Sequence, residues 1–175
     1  MNSKTKQRLS IKLASFVYCL ICNIPVCFFL CMTSSIINLS TWTGPVLTLD
    51  FGAFNWPGFF ANYALALTLA MCVGTFVPLT AIGRWFTGLF HVENETYKGN
   101  MKYRLLATLI ITLIYYIVIS PTLAVINGIY YHLTMQQILL GLLLQMPFML
   151  IVGFVSSLIN DLGAYKVAHS IDNRF

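Results

Sequence analysis

Residues 105–160 read LLATLIITLIYYIVISPTLAVINGIYYHLTMQQILLGLLLQMPFMLIVGFVSSLIN, 56 consecutive positions without an Asp, Glu, Lys or Arg. As one helix this run would be about 84 Å long, nearly three times the thickness of a bilayer's hydrocarbon core. It has to turn. Asn127 and Gly128, with polar residues continuing through His132, Thr134, Gln136 and Gln137, mark the place. The run therefore predicts two membrane-spanning helices, over 103–126 and 136–160, joined by a short turn at 127–135.

The same arithmetic applies upstream. Two more uncharged stretches, of 37 residues between Lys12 and Asp50 and 33 between Asp50 and Arg84, are each long enough to hold a span. The first span is expected over 9–37, frayed at its far end by Thr33, Ser34 and Ser35, and the second over 57–82, with Pro57 in its first turn. The basic residues ahead of the first stretch resemble the start of a signal peptide. The stretch is longer than a secretory apolar core, so an uncleaved helix is expected. Apolar residues run continuously and do not alternate, which predicts an all-α, four-helix membrane protein and no β-barrel. With 58% hydrophobic and only 9% charged residues, against about 25% charged in soluble domains, a water-soluble enzyme is excluded.

All ten Lys and Arg lie in the first twelve residues, between Arg84 and Arg104, or in the C-terminal tail, and the other two loops hold none. The positive-inside rule then predicts both termini and the segment 84–102 in the cytoplasm, with 38–56 and 127–135 outside. Trp42 and Trp56 fall at the outer boundary and Trp85 at the inner one, where interfacial aromatics belong. The net charge of +5 is explained as topogenic charge facing lipid headgroups. The lipid bilayer is thus the expected partner and nucleic acid is not.

The chain also repeats itself. A shift of 96 residues lays Lys6, Arg8, Leu9, Leu13, Ile21 and Pro25 on Lys102, Arg104, Leu105, Leu109, Ile117 and Pro121. A shift of 79 lays Leu65, Val73, Gly74 and Leu79 on Leu144, Val152, Gly153 and Leu158. Both halves enter from the same side, so a parallel repeat about an axis along the membrane normal is expected. The organisation is a first two-helix hairpin (1–90), a cytoplasmic linker (91–102) and a second hairpin (103–175). An ancestral homodimer would have become one chain. Its remaining apolar faces are open to a membrane-protein partner or to further copies.

In the first half, residues 60–90 (FANYALALTLAMCVGTFVPLTAIGRWFTGLF) form an apolar helix ending in Pro78, Leu79 and the basic Arg84. This segment, and residues 104–162 in the second half, resemble the domain of unknown function 2798, a family of short bacterial membrane proteins that are single two-helix hairpins. The second half departs from the pattern with Ser157 and Leu158 in place of Pro78 and Leu79, and with Asp161 where a basic residue is expected. The resemblance implies a paired-hairpin fold and a bacterial cytoplasmic membrane. It implies no catalytic residue.

The residues offer little chemistry. Cys19 and Cys22 form a C-x-x-C without a neighbouring cation to activate a thiol, and the cysteines are expected to be small apolar fillers. A soft-metal set of Cys31, Met32, Met71 and Cys72 is the alternative. His91, His132 and His169 sit in three separate polar segments, and no catalytic triad, phosphate loop or paired intramembrane carboxylate can be named. Neither an enzyme nor a cofactor is expected. Each span does contain one interior proline, at Pro25, Pro78, Pro121 and Pro147, which frees a backbone carbonyl, and Asn23, Asn62 and Gln145 are the strongest donors within the spans. These three are the candidate cavity-lining residues, with Asp50 at the outer mouth. Gly74 and Gly153 are expected to let helices approach closely. The expected function is a small transporter or channel-like protein for an apolar or amphipathic solute. The alternative is a non-transporting accessory, assembly or immunity subunit, whose bundle centre would be filled by Leu, Ile and Phe.

Overall fold

A computed structural model describes residues 3–43, 46–49, 52, 54–92 and 101–171, with side chains described except at 3–10, 40–43, 46–49 and 162. The chain is all-helical across the membrane. Its elements are α1 (Ser3–Leu39), a short hairpin of β1 (Ser40–Thr43) and β2 (Val46–Leu49), α2 (Trp56–Phe76), α3 (Leu79–Leu89), α4 (Met101–Tyr130) and α5 (Met135–Ile171). Four segments, Ile11–Leu39, Trp56–Phe76, Met101–Tyr130 and Met135–Asp161, are long and apolar enough to cross a bilayer. This is an integral membrane protein with four transmembrane helices.

Three boundaries differ from the sequence expectation, each for a local reason. The first helix does not fray at Thr33: the Thr33 hydroxyl donates to the Phe29 carbonyl at 2.8 Å, Ser34 finds a partner on α5, and α1 runs on to Leu39. The second span stops at Phe76. Val77, held extended ahead of Pro78 (φ −93°, ψ 128°), breaks the helix, and α3 starts afresh after the proline. Pro78 is therefore a terminator, whereas Pro25, Pro121 and Pro147 lie inside unbroken helices. Finally, Asn127 and Gly128 belong to the last turn of α4. The turn lies at 131–134, where His132 takes a positive φ of 55° and Thr134 caps α5: Gln137 N–H donates to the Thr134 hydroxyl while the Gln137 side chain accepts from Thr134 N–H. Gly128 has a different use, since a Cβ there would strike the Ile138 side chain at the start of α5.

At the start of α2, Asn55 accepts from Gly58 N–H at 3.1 Å and Pro57 occupies the first turn. Its Phe59, Ala66, Ala70 and Val73 recur at helical spacing and are buried. Phe59 stacks on Tyr63 and meets Phe28 of α1 edge-on, and Cys27, Cys31 and Ile119 complete this part of the core. In the bundle α1 packs against α2 and most extensively against α5, while α4 packs against α5, α3 and, more sparingly, α2. Both glycines expected at close approaches are at them. A Cβ on Gly74 would collide with Cys19 Sγ of α1 and lie 3.1 Å from the Tyr115 hydroxyl of α4. One on Gly153 would lie 3.2 Å from Thr112 of α4 and 3.5 Å from Leu30 of α1.

Candidate functional site: a cavity along the bundle

The four spans do not close on a filled centre. They line a partly open cavity of about 1420 Å³ that extends from Ile11 and Tyr165 at one end to Asn38 and Leu133 at the other. Its wall is mostly apolar, and six tyrosines line it: Tyr18, Tyr103, Tyr115, Tyr116, Tyr131 and Tyr165. Polar groups gather on it at three heights.

The lowest group is ionic. Arg104, in the first turn of α4, donates through Nε (3.3 Å) and Nη2 (3.2 Å) to Asp161 Oδ2 on α5, and Nη2 also reaches the Leu158 carbonyl. The Tyr18 hydroxyl of α1 donates to the other carboxylate oxygen. Both ionic side chains are shielded, with 14% of Arg104 and 6% of Asp161 exposed, so the pair is buried and hydrogen-bonded on both sides. The middle group is Asn23, which donates to Cys19 Sγ at 3.1 Å and to the Tyr115 hydroxyl at 3.5 Å, beside Gly74. In the upper group the Ser34 hydroxyl donates to Gln145 Oε1 and the Gln145 amide donates to Asn38 Oδ1, both at 3.0 Å. Tyr18 and Ser34 are 16 residues apart on α1, as are Gln145 and Asp161 on α5. The antiparallel pair is thus clasped at two points about 24 Å apart.

Asn23, Asn62 and Gln145 all line this one cavity. They do not meet at a single point: Asn23 and Gln145 belong to different heights, and Asn62 is half-buried on α2. The bonds found for Asn23 and Gln145 go to side chains and not to carbonyls freed by proline. Asp50 lies outside the described residues. The C-x-x-C cysteines, with Cys27 and Cys31, line the cavity as free thiols, whereas Cys72 is exposed. Among the described residues no three His, Cys, Asp or Glu side chains come together to hold a metal ion.

The group that sequence reading misses is Tyr18–Asp161–Arg104. A signal for part of it is present, because Arg104 and Asp161 delimit the 56-residue uncharged run and its turn lies at the midpoint, which brings its two ends to one level. Ser34 and Asn38 carry no such signal, because they stand where a helix end is expected to fray. No protein family, curated protein or solved structure matches the chain in comparisons with all three.

Proposed function

We propose that the protein is a small transporter or channel-like protein that passes an apolar or amphipathic solute along the cavity. The observation that carries this reading is the cavity itself: it draws its lining from all four spans and reaches both ends of the bundle. An accessory subunit built only for packing calls instead for a centre filled by Leu, Ile and Phe. The sole ion pair described within the spans lies at one end and is internally compensated, which favours a passive route over a proton or ion relay.

The proposal includes the setting. Both termini and the 84–102 segment face the cytoplasm, on the strength of the basic residues gathered at that side, and the bacterial setting follows the likeness to the two-helix family. The two hairpins are parallel repeats, in keeping with their likeness to the two-helix family. Three features support the repeat. Exchanging α1 with α4 and α2 with α5 turns each packed pair of spans into another packed pair. Gly74 and Gly153, which the shift of 79 equates, each touch both α1 and α4. The same shift lays Trp56–Leu89, the whole of α2 and α3, along α5.

The test is release of amphipathic fluorophores, one anionic, one cationic and one neutral, from liposomes holding the purified protein. The proposal expects release above protein-free liposomes for at least one of them, independent of a pH gradient and suppressed by Ser120→Trp, which fills the cavity. Release equal to protein-free liposomes for all three contradicts it.

A further inference from the structure

We propose that the solute is a single-chain amphipath with an anionic head, a carboxylate or a phosphate, held at Arg84 with its apolar chain in the cavity; this inference rests on the solute-conducting reading above. Among the described residues two charged side chains line the cavity, Arg84 and Asp161. Asp161 is already answered by Arg104 and Tyr18. Arg84 is exposed, and the cavity offers it no second acid.

The two charges share a level. Gly83, the residue before Arg84, packs on Ala107 of α4, one turn beyond Arg104, so closely that a Cβ on the glycine would lie 3.5 Å from the alanine methyl. Among the described residues, Arg84 on the cavity wall and the Arg104–Asp161 pair beside it leave that end with one net positive charge. A cationic head would face a net positive charge, and a neutral one would leave Arg84 unanswered. A carboxylate or phosphate completes the balance, and the planar guanidinium fork binds either through paired hydrogen bonds.

The location of α3 argues that Arg84 serves the cavity as well as the membrane surface. Its Gly83 and Thr87 are buried, and Trp85 and Leu89 are exposed at 65% and 58%. Trp85 and Leu89 suit the lipid interface, whereas Arg84 lines the cavity. Beyond Arg84 the lining is largely apolar, interrupted by tyrosines and uncharged polar groups, which is accommodation for a chain and not for a second charge.

The experiment uses the full-length protein with Trp42→Phe and Trp56→Phe, in phosphatidylcholine nanodiscs, so that Trp85 is the sole tryptophan. Its energy transfer to cis-parinarate, a fluorescent fatty acid, reports binding beside Arg84, and parinaryl alcohol is the uncharged control. Parinarate is expected to bind about tenfold more weakly, or worse, to Arg84→Gln, while Arg84→Lys retains much of the binding and shows that the fold tolerates change there. The alcohol is expected to bind weakly and alike to both. Ser120→Phe, which adds bulk to the cavity without a second tryptophan and leaves the head site intact, is expected to remove parinarate binding.

Equal binding of acid and alcohol, or an undiminished Arg84→Gln, overturns the inference. Unchanged binding to Ser120→Phe overturns it too, because the anion then sits on the membrane surface. Adding anionic phospholipid to the nanodiscs separates the sources of the head group: retention of parinarate assigns the site to a free single-chain amphipath, and displacement gives it to a two-chain membrane lipid and overturns the inference. Loss of the anion preference with liposome release intact refutes this inference alone, whereas an anion preference without release refutes the conducting reading alone.

Discussion

Helix α5 and the pair α2–α3, which the proposed repeat would equate, differ in continuity: one is a single rod of 37 residues and the other is broken after 21. The difference centres on one position. Pro78 follows an extended Val77 and ends α2, whereas Ser157, 79 residues later, keeps its N–H and lets α5 continue. The unbroken rod is fastened to α1 by the Tyr18–Asp161 hydrogen bond at one end, where Arg104 of α4 adds an ion pair, and by an amide clasp at the other. The broken one divides its packing, α2 mainly against α1 and α3 against α4, and turns Arg84 to the cavity. One wall of the cavity is thus pinned and the facing wall is jointed, and any opening should occur at the joint.

The largest effect is expected from the ionic clasp. Asp161→Leu leaves Arg104 buried without its partner and should destabilise the protein by about 3–5 kcal/mol, and adding Arg104→Leu should recover most of the loss. Thermal unfolding in detergent measures both. If the single and double variants unfold alike, the pair does not hold the pinned wall.

Moving the break is the next test. Ser157→Pro should cost about 3 kcal/mol or more by interrupting α5. The reverse exchange, Pro78→Ser, should let α2 and α3 fuse. Spin labels at 64 and 86 would then move apart towards about 33 Å, the length of 22 residues of continuous helix. An unchanged distance would show that packing against α4, and not the proline, sets the joint.

A smaller effect is expected at the crossing of α1, α2 and α4. Gly74→Ala places a methyl group against Cys19 Sγ and should cost about 1–3 kcal/mol, and Cys19→Ala in the same chain should restore most of it. The amide clasp ranks last. Gln145→Leu should cost about 0.6 kcal/mol and no more than ~1.7 kcal/mol, as for other interhelical hydrogen bonds in membranes. A loss as large as that of Asp161→Leu would put the main fastening of α5 at the wrong end.

How much of this is legible in the sequence depends on the scale of the signal. The four spans are readable because uncharged runs of 33, 37 and 56 residues admit few alternatives in a bilayer. Gly74 and Gly153 are at close approaches as expected, although Gly141, in the same apolar helix as Gly153, has nothing within 4 Å of where a Cβ would lie. The end of α2 is not readable: Pro25, Pro121 and Pro147 sit within unbroken helices while Pro78 ends one, and the local sequence does not separate these outcomes without the packing of α3 on α4. The turn falls within the expected 127–135 but in its later part, because Asn127 and Gly128, which carry turn chemistry, belong to the last turn of α4, where Gly128 lets Ile138 approach. Asn23, Asn62 and Gln145 can be named as polar residues within lipid, but their different heights depend on helix register. Asp161 looks like an interruption of the repeat, and its partners Arg104 and Tyr18 lie 57 and 143 residues away.

Whether the middle of the bundle is an open cavity, on which the conducting reading depends, can be asked by probing two positions of α4. Ser120 lines the cavity, while Ile117, three residues earlier, is 60% exposed on the outside of the bundle. With the five native cysteines replaced, Ser120→Cys and Ile117→Cys would each be treated, in liposomes, with a small membrane-impermeant thiol reagent that requires water to form the thiolate. Rapid modification at 120 and slow modification at 117 are expected of a water-accessible cavity facing away from lipid. Equal, slow modification at both positions would show a bundle sealed to water, with no route along its centre.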